Sequence, residues 1–394
     1  MSDVKNLERT LGDLRPLVER FVTRDRVRKY LKALVNTPAP STAAAAIRVP
    51  VMKRLLEEDG AFLTGRLHFD EDFGGVGSPV IVTGRADGDK PFWCFAHLDT
   101  ISYLVQPVQG DYTPLVPYCV HLMRDGACTA NAYRYEFDSN RYVVAAEGMI
   151  ESTGGAPVFR PNGKSEPLRA GDRVAPLSPY REIDGSGLFT GLMDNAGGVA
   201  AVAVAALALA EAGVEALLAF PDEEEGPVGA GNQTMCRGSS RIVSLLSPPA
   251  LAIVADVQQG GGDADADARG GVENSTRLGG GAVLSEFSSL TRGSVTAPDL
   301  YEFARRMSGV INGFGVRVQE SNNAYSSRSD DVSIMLRTPN VLLLGYPGFN
   351  RHFDRGLPRA HLDDVLHLAK ALVYASAIGP LLKERRRPLV GVQS

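Results

Sequence analysis

Apolar residues recur at helical spacing through the first part of the chain: Leu7, Leu11, Leu14, Leu17 and Phe21, then Val27, Tyr30, Leu31 and Leu34. That period predicts one or two amphipathic helices. NTPAPS breaks the pattern, and RVPVMKRLLEEDG resumes it up to a glycine stop. The period then shortens. PVIVTG at 79–84 and PFWCFA at 91–96 are brief, β-prone apolar runs bounded by turn residues, which predicts strands. Residues 101–189 lose helical periodicity, and short runs such as YRYEF, RYVVAA and GDRVAPL alternate with Pro- and Gly-rich turns. From Gly191 helix and strand patterns alternate: helices at 199–212, near 239–246, at 297–307 and 363–377, and strands at 214–220, 250–255 and 340–346. The expected fold is α/β, a mixed, largely parallel sheet flanked by helices. Its main domain is formed by 1–100 and 190–394, with a small β-rich, barrel-like domain inserted at 101–189.

Composition narrows the function classes. The longest apolar run, AGGVAAVAVAALALA at 196–210, is shorter than the roughly 20 residues a bilayer-spanning helix needs, so it predicts a buried helix and no membrane association. A net charge of −5 without a long basic block argues against nucleic acid as a partner, and KERRRP near the end reads as a solvated helix terminus. The charged N-terminal segment lacks the apolar core of a secretory signal. Four cysteines without CxxC spacing suit a reducing compartment, so the expected location is cytoplasmic. QQGGGDADADARGG at 258–271 lacks the full ligand pattern of a calcium loop and reads as a surface loop.

The chemistry is carried by polar residues that follow predicted strands, where open α/β sheets gather their functional groups. His97 and Asp99 follow PFWCFA; the run Asp222, Glu223, Glu224 and Glu225 follows ALLAF; Asp256 follows ALAIVA; His352 lies just past NVLLLGY. Asp194 precedes the start of a helix, where the dipole tolerates a carboxylate. Adjacent carboxylates raise one another's pKa, so the acidic quartet needs open solvent or a positive partner. Two imidazoles and several carboxylates form a zinc-like donor set. HxD spacing alone does not select among histidines, because it occurs at His68, His97, His352 and His361. His68 reads as exposed, His361 as a helix cap, and His121 and His367 as structural.

FAHLDTIS, GLMDNAGGVAA, DEEEGPVGAG, IVADV and GFNRHF stand in the order found in the co-catalytic zinc exopeptidases. The chain most resembles their glutamyl aminopeptidase family, which assembles tetrahedral particles. A β-rich insert between the HxD strand and the DNAGG helix, together with AGDRVAPLSPYREIDGSGLFTGLMDNAGG and VQESNNAYSSRSDDVSI, favours that family over its siblings. The resemblance spans residues 34–377. It implies two divalent ions, zinc with cobalt or manganese as substitutes, bridged by Asp194. His97 and Asp256 would complete one site, Glu224 and His352 the other. Glu223 would be the general base and Asp99 would orient His97, while Asp222 and Glu225 have no role and are expected to be solvated. The chain departs from the family pattern at Ala196, and at Arg351 and Phe353 on either side of the last histidine.

The implied activity is hydrolysis of N-terminal residues from short peptides by a homo-oligomer. A carboxypeptidase or N-acyl amino acid deacylase would use the same centre but needs a cationic anchor for a carboxylate, for which Arg328 and Arg351 are candidates. A catalytically inert, metal-stabilised interaction protein is the alternative from another class, and it would have no need of a base.

Overall fold

A computed structural model describes residues 2–119, 123–226, 235–262 and 272–385. His121, most of the Gly/Asp-rich loop (263–271) and the end of the basic tail (386–394) lie outside the described residues. Helices α1 (Ser2–Phe21), α2 (Arg24–Val35) and α3 (Ala44–Glu58) open the chain, followed by strands β1 (Leu67–Asp70), β2 (Val80–Thr83) and β3 (Phe92–Phe95). The middle of the chain is all strand: β4 (Tyr103–Val105), β5 (Thr113–Pro117), β6 (Gly126–Glu136), β7 (Arg141–Thr153), β8 (Ala156–Pro161), β9 (Arg173–Pro176), β10 (Arg181–Glu182) and β11 (Leu188–Thr190). Helix α4 (Ala196–Glu211), β12 (Ala216–Ala219), α5 (Arg237–Ser244), β13 (Leu251–Val254), β14 (Val257–Gln259) and β15 (Ala282–Ser285) come next. The last part comprises α6 (Pro298–Asn312), β16 (Val318–Glu320), α7 (Asp331–Ile334), β17 (Val341–Phe349), β18 (Arg359–His361), α8 (Leu362–Ala375) and α9 (Ile378–Arg385).

Twelve strands form one mixed sheet whose backbone runs β1-β2-β12-β3-β13-β17-β18-β11-β10. Its centre, β12, β3, β13 and β17, is parallel, while β1, β2 and β18 pair antiparallel at the flanks. Strands β12, β3 and β13 are buried along their whole length, which is why they read as unbroken apolar runs rather than alternating ones. Helix α4 is buried from Ala196 to Ala210 and packs on α8, α2 and α1. Its alanines allow that close approach on every side.

Strands β4-β5-β8-β7-β6-β9 close into a separate barrel with its own apolar core, including Tyr103, Leu115, Ile150 and Phe159. The barrel strands end at Pro176, and β10 and β11 return to the large sheet. Leu192 and Phe353, from outside the barrel strands, insert into the barrel core. No helix among the described residues is long and apolar enough to cross a membrane.

Candidate metal centre

The four parallel neighbours β12, β3, β13 and β17 end on the same edge of the sheet, and their following residues converge there. His97 lies just past β3, the acidic quartet past β12, Asp256 past β13 and His352 past β17, while Asp194 precedes α4. Helix α4 is drawn close to that edge by its glycines. A Cβ on Gly197 would lie 2.4 Å from the Tyr346 ring, and one on Gly198 2.3 Å from the Ala255 carbonyl oxygen. Asn195 fixes the helix start, accepting the Gly198 N–H and donating to Ala255 O. The Tyr346 hydroxyl donates to Met193 O, next to Asp194.

His97 Nδ1 donates to the Asp99 carbonyl oxygen at 3.0 Å, and this turns Nε2 toward the acids. Asp194 Oδ1 lies 3.1 Å from Nε2, Asp256 Oδ1 3.7 Å and Glu224 Oε2 3.8 Å. His352 Nε2 lies 3.2 Å from Asp194 Oδ2 and 3.3 Å from Glu225 Oε2. Asp194 therefore offers one oxygen to each imidazole. His97–Asp194–Asp256, Asp194–Glu225–His352 and His97–Glu224–Glu225 each hold their candidate ligand atoms within 4.8 Å of one another, and every member is buried.

The electrostatics fit a cation. Burial pushes Glu224 well above the usual carboxylate range, Glu225 and Asp256 add to the push, and His97 opposes it. Burial likewise raises Glu225, against the pull of His352. Burial alone would raise Asp194 too, but Arg351, His352 and His97 together hold it well below its ordinary value. Burial would lower His352, yet Glu225 and Asp194 bring it up to about 9 against the push of Arg351. Glu225 Oε1 is buried without a hydrogen-bond partner. Buried carboxylates at this density call for a positive partner, and imidazole plus carboxylate is the donor set of a zinc-type divalent ion.

The sequence-based expectation places Glu223 beside the centre as a base and Glu224 as the partner of His352. Glu223 has a left-handed backbone, φ 62°. It accepts from Arg241 and from the Tyr118 hydroxyl at 2.9 Å, with Arg237 at 3.6 Å. Glu224 is the residue beside His97, and Glu225, expected to be solvated, is buried beside His352. Asp222 is also buried: it accepts the N–H groups of Thr42 and Ala44, closing the start of α3, whose own Ala43 offers no side-chain cap. Burial, then repulsion from Asp99, pushes Asp222 up to about 8.

Asp99 touches His97 mainly through its carbonyl. Its carboxylate accepts from Ser41 Oγ at 2.6 Å and from the backbone N–H groups of Glu224 and Glu225 at 3.0 and 3.3 Å. It thereby fixes the strand end that presents both glutamates. His68 is exposed, and His361 caps α8 by accepting from Asp363 N. Buried His367 accepts from Arg317 N.

Two residues beside the centre were not singled out as part of it from the sequence. Arg351 Nη1 donates to Asp194 Oδ2 at 2.9 Å. Asp330 is buried, and no cationic side chain among the described residues hydrogen-bonds its carboxylate. Burial pushes Asp330 up to about 7, His97 and Ser239 pull it down, and Asp256 and Asp99 raise it. Its neighbour Ser329 is tied to the centre by Cys236, whose Sγ donates to Ser329 O at 3.1 Å and lies 3.7 Å from Glu224 Oε1. The paired aspartates of SSRSDDVSI were the available signal.

No protein-family model and no curated protein matches the sequence. Solved structures match closely in shape. An aminopeptidase of the archaeon Desulfurococcus kamchatkensis is 17% identical, with 93% of this chain and 99% of that one covered and a TM-score of 0.68. The TET1 peptidase of Pyrococcus horikoshii, described as assembling into a tetrahedron or a large octahedral shell, is 17% identical over 88% of this chain and 98% of that one, TM-score 0.65. An M18-family aminopeptidase of Thermotoga maritima is 13% identical over 91% and 98%, TM-score 0.63. The chain has the fold of the TET and M18 aminopeptidases.

Proposed function

We propose that this chain is a metal-dependent aminopeptidase that removes N-terminal residues from short peptides, using two divalent ions, most simply zinc, with cobalt or manganese as substitutes. The observation that carries the reading is Asp194, one oxygen facing each imidazole, with each half completed by a second carboxylate. In this reading His97 and Asp256 would hold one ion and His352 and Glu225 the other, with Asp194 contributing to both. The fold shared with named aminopeptidases supports it.

When bound, such an ion pair lowers the pKa of a shared water to about 7, polarises the scissile carbonyl and steadies the developing oxyanion. The protein has to supply a base that is not consumed as a ligand. Glu224 fits that role better than Glu223: it sits beside His97, its N–H is held by Asp99, and Glu225 completes the second half of the centre. Glu224 takes the proton from the attacking water and returns it to the leaving amine. Glu223 is engaged by Arg241 and Tyr118 and serves as a brace between the strand end and the barrel side.

Asp330 favours trimming from the amino end. A buried carboxylate to which no cation among the described residues is hydrogen-bonded suits a substrate ammonium. Arg351, the cation that would suit a C-terminal carboxylate, is engaged with Asp194. The two-part organisation, with an inserted barrel domain, self-assembly after the manner of the Pyrococcus peptidase and a cytoplasmic location belong to the same reading.

A peptide-library digest with zinc- or cobalt-loaded protein, read by mass spectrometry, tests the proposal. Loss of single N-terminal residues is expected, together with resistance of N-acetylated peptides. Trimming from the C-terminus would overturn the amino-end reading. Absence of any cleavage with two ions bound would point to the inert scaffold.

A further inference from the structure

Among the described residues one arginine is hydrogen-bonded to an acid of the cluster, and it meets Asp194 on one oxygen only. Asp194 Oδ2 lies 2.9 Å from Arg351 Nη1 and 3.2 Å from His352 Nε2, whereas Oδ1 faces His97. The guanidinium therefore shares the oxygen that the His352 half of the centre would use. Its charge is permanent. Burial works against that charge, and Asp194, Asp256 and Glu225 reinforce it. A tight turn presents the pair: Asn350 before it and Phe353 after it both have left-handed backbones, and the Phe353 side chain is anchored in the barrel core.

Two consequences follow from charge alone. With no ion in the His352 half, Arg351 balances Asp194, the acid common to both halves. With an ion there, Arg351 and a dication compete for one oxygen at short range, in a buried site where water screens little. On the His97 side buried Arg48 adds charge at longer range, but its donors go to the Thr37, Leu98 and Leu34 carbonyls, and among the described residues the partner of Asp194 Oδ1 is an imidazole that becomes neutral on ligation.

We propose, building on the two-ion reading above, that Arg351 is an internal competitor for the second ion: the His97 half fills first and tightly, and the His352 half fills weakly, only as Arg351 releases Asp194 Oδ2. The two-ion state then depends on the level of available metal. Arg351 acts in this as a positioning residue for Asp194.

The test is a titration of chelator-stripped full-length protein with zinc alone, by calorimetry and by competition with a chromophoric chelator. Wild type, Arg351→Gln and Arg351→Lys are compared. Wild type should bind in two steps separated by at least about tenfold in Kd, about 1.4 kcal/mol. Arg351→Gln removes the charge and keeps a polar side chain, so its second step should tighten by at least about tenfold while the first moves by less than about threefold. Arg351→Lys keeps the charge and should keep the separation. Equal steps in wild type, a second step unchanged or weakened in Arg351→Gln, or a single ion in both proteins would each overturn the inference. Failure of all three proteins to bind zinc would instead overturn the metal-dependent reading. Unfolding curves for the stripped proteins separate a folding defect from an altered site, and a misfolded Arg351→Gln would leave Arg351→Lys to decide, by losing or keeping the two separated steps.

Discussion

The three glutamates after β12 offer a sharp prediction, because Gln at each position tests a different relation to the centre. Glu224→Gln keeps the side-chain shape and the backbone N–H that Asp99 accepts, and removes the ability to take a proton together with the carboxylate charge. General-base transfer is worth 10²–10⁴-fold, so kcat should fall by about 10³-fold, or about 4 kcal/mol at 1.36 kcal/mol per decade, with two ions still bound. Glu223→Gln loses ion pairs to Arg241 and Arg237, both partly exposed, at a cost of about 1 kcal/mol or less in stability, and kcat should stay within about threefold. Glu225→Gln removes the charged oxygen 3.3 Å from His352 Nε2 and should reduce bound metal from two ions toward one. Steady-state kinetics on one peptide, with metal content of each purified variant by mass spectrometry, read all three effects. An inactive Glu223→Gln that still holds two ions, beside an active Glu224→Gln, would refute this placement of the base.

Two other expectations concern residues outside the acid cluster. Burial, then Arg317 and Lys370, push His367 down to about 4, so it is neutral in the folded chain. Its contribution to stability is present above the unfolded value near 6.5 and is lost as pH falls toward 4, by up to about 3 kcal/mol. In urea unfolding of metal-stripped protein, His367→Gln should lose correspondingly less stability than wild type between pH 7 and pH 4.5; an equal loss would sink the argument. Phe353→Ala empties an apolar site in the barrel core one residue from His352 and should cost about 3 kcal/mol. It should also lower metal content of the His352 half, and unchanged melting with full metal content would show that the anchor does not matter.

What the sequence disclosed follows from which signals are local. Strands β3, β12, β13 and β17 are short and fully buried, so they stand out as apolar runs, and the first polar residues after them lie on one edge of a parallel sheet. That is why His97, Asp256 and His352 could be collected from positions far apart in the chain, with Asp194 added from its place before the start of α4. Arg351 reads from the sequence as a candidate anchor for a substrate carboxylate, and its bond to Asp194 depends on a turn that the local sequence does not announce. Asp222 was hidden for a similar reason. Its partners are the unpaired N–H groups at the start of α3, and nothing next to Asp222 in sequence announces them.

The quartet shows how four adjacent acids are held although they repel one another. Each faces a different donor or imidazole: Asp222 the start of α3, Glu223 the arginines of α5 and Tyr118, Glu224 His97, and Glu225 His352. An extended strand would send alternate residues to the same face, placing Glu223 with Glu225 and Asp222 with Glu224. The left-handed turn at Glu223 breaks that alternation, so that Glu224 and Glu225, adjacent in sequence, both reach the centre. Their N–H groups meet the one Asp99 carboxylate, which locks the break in place. The frame of the two site glutamates is therefore set by a backbone reversal and a buried aspartate more than a hundred residues upstream. A motif aligned by its glycines carries no signal of that reversal.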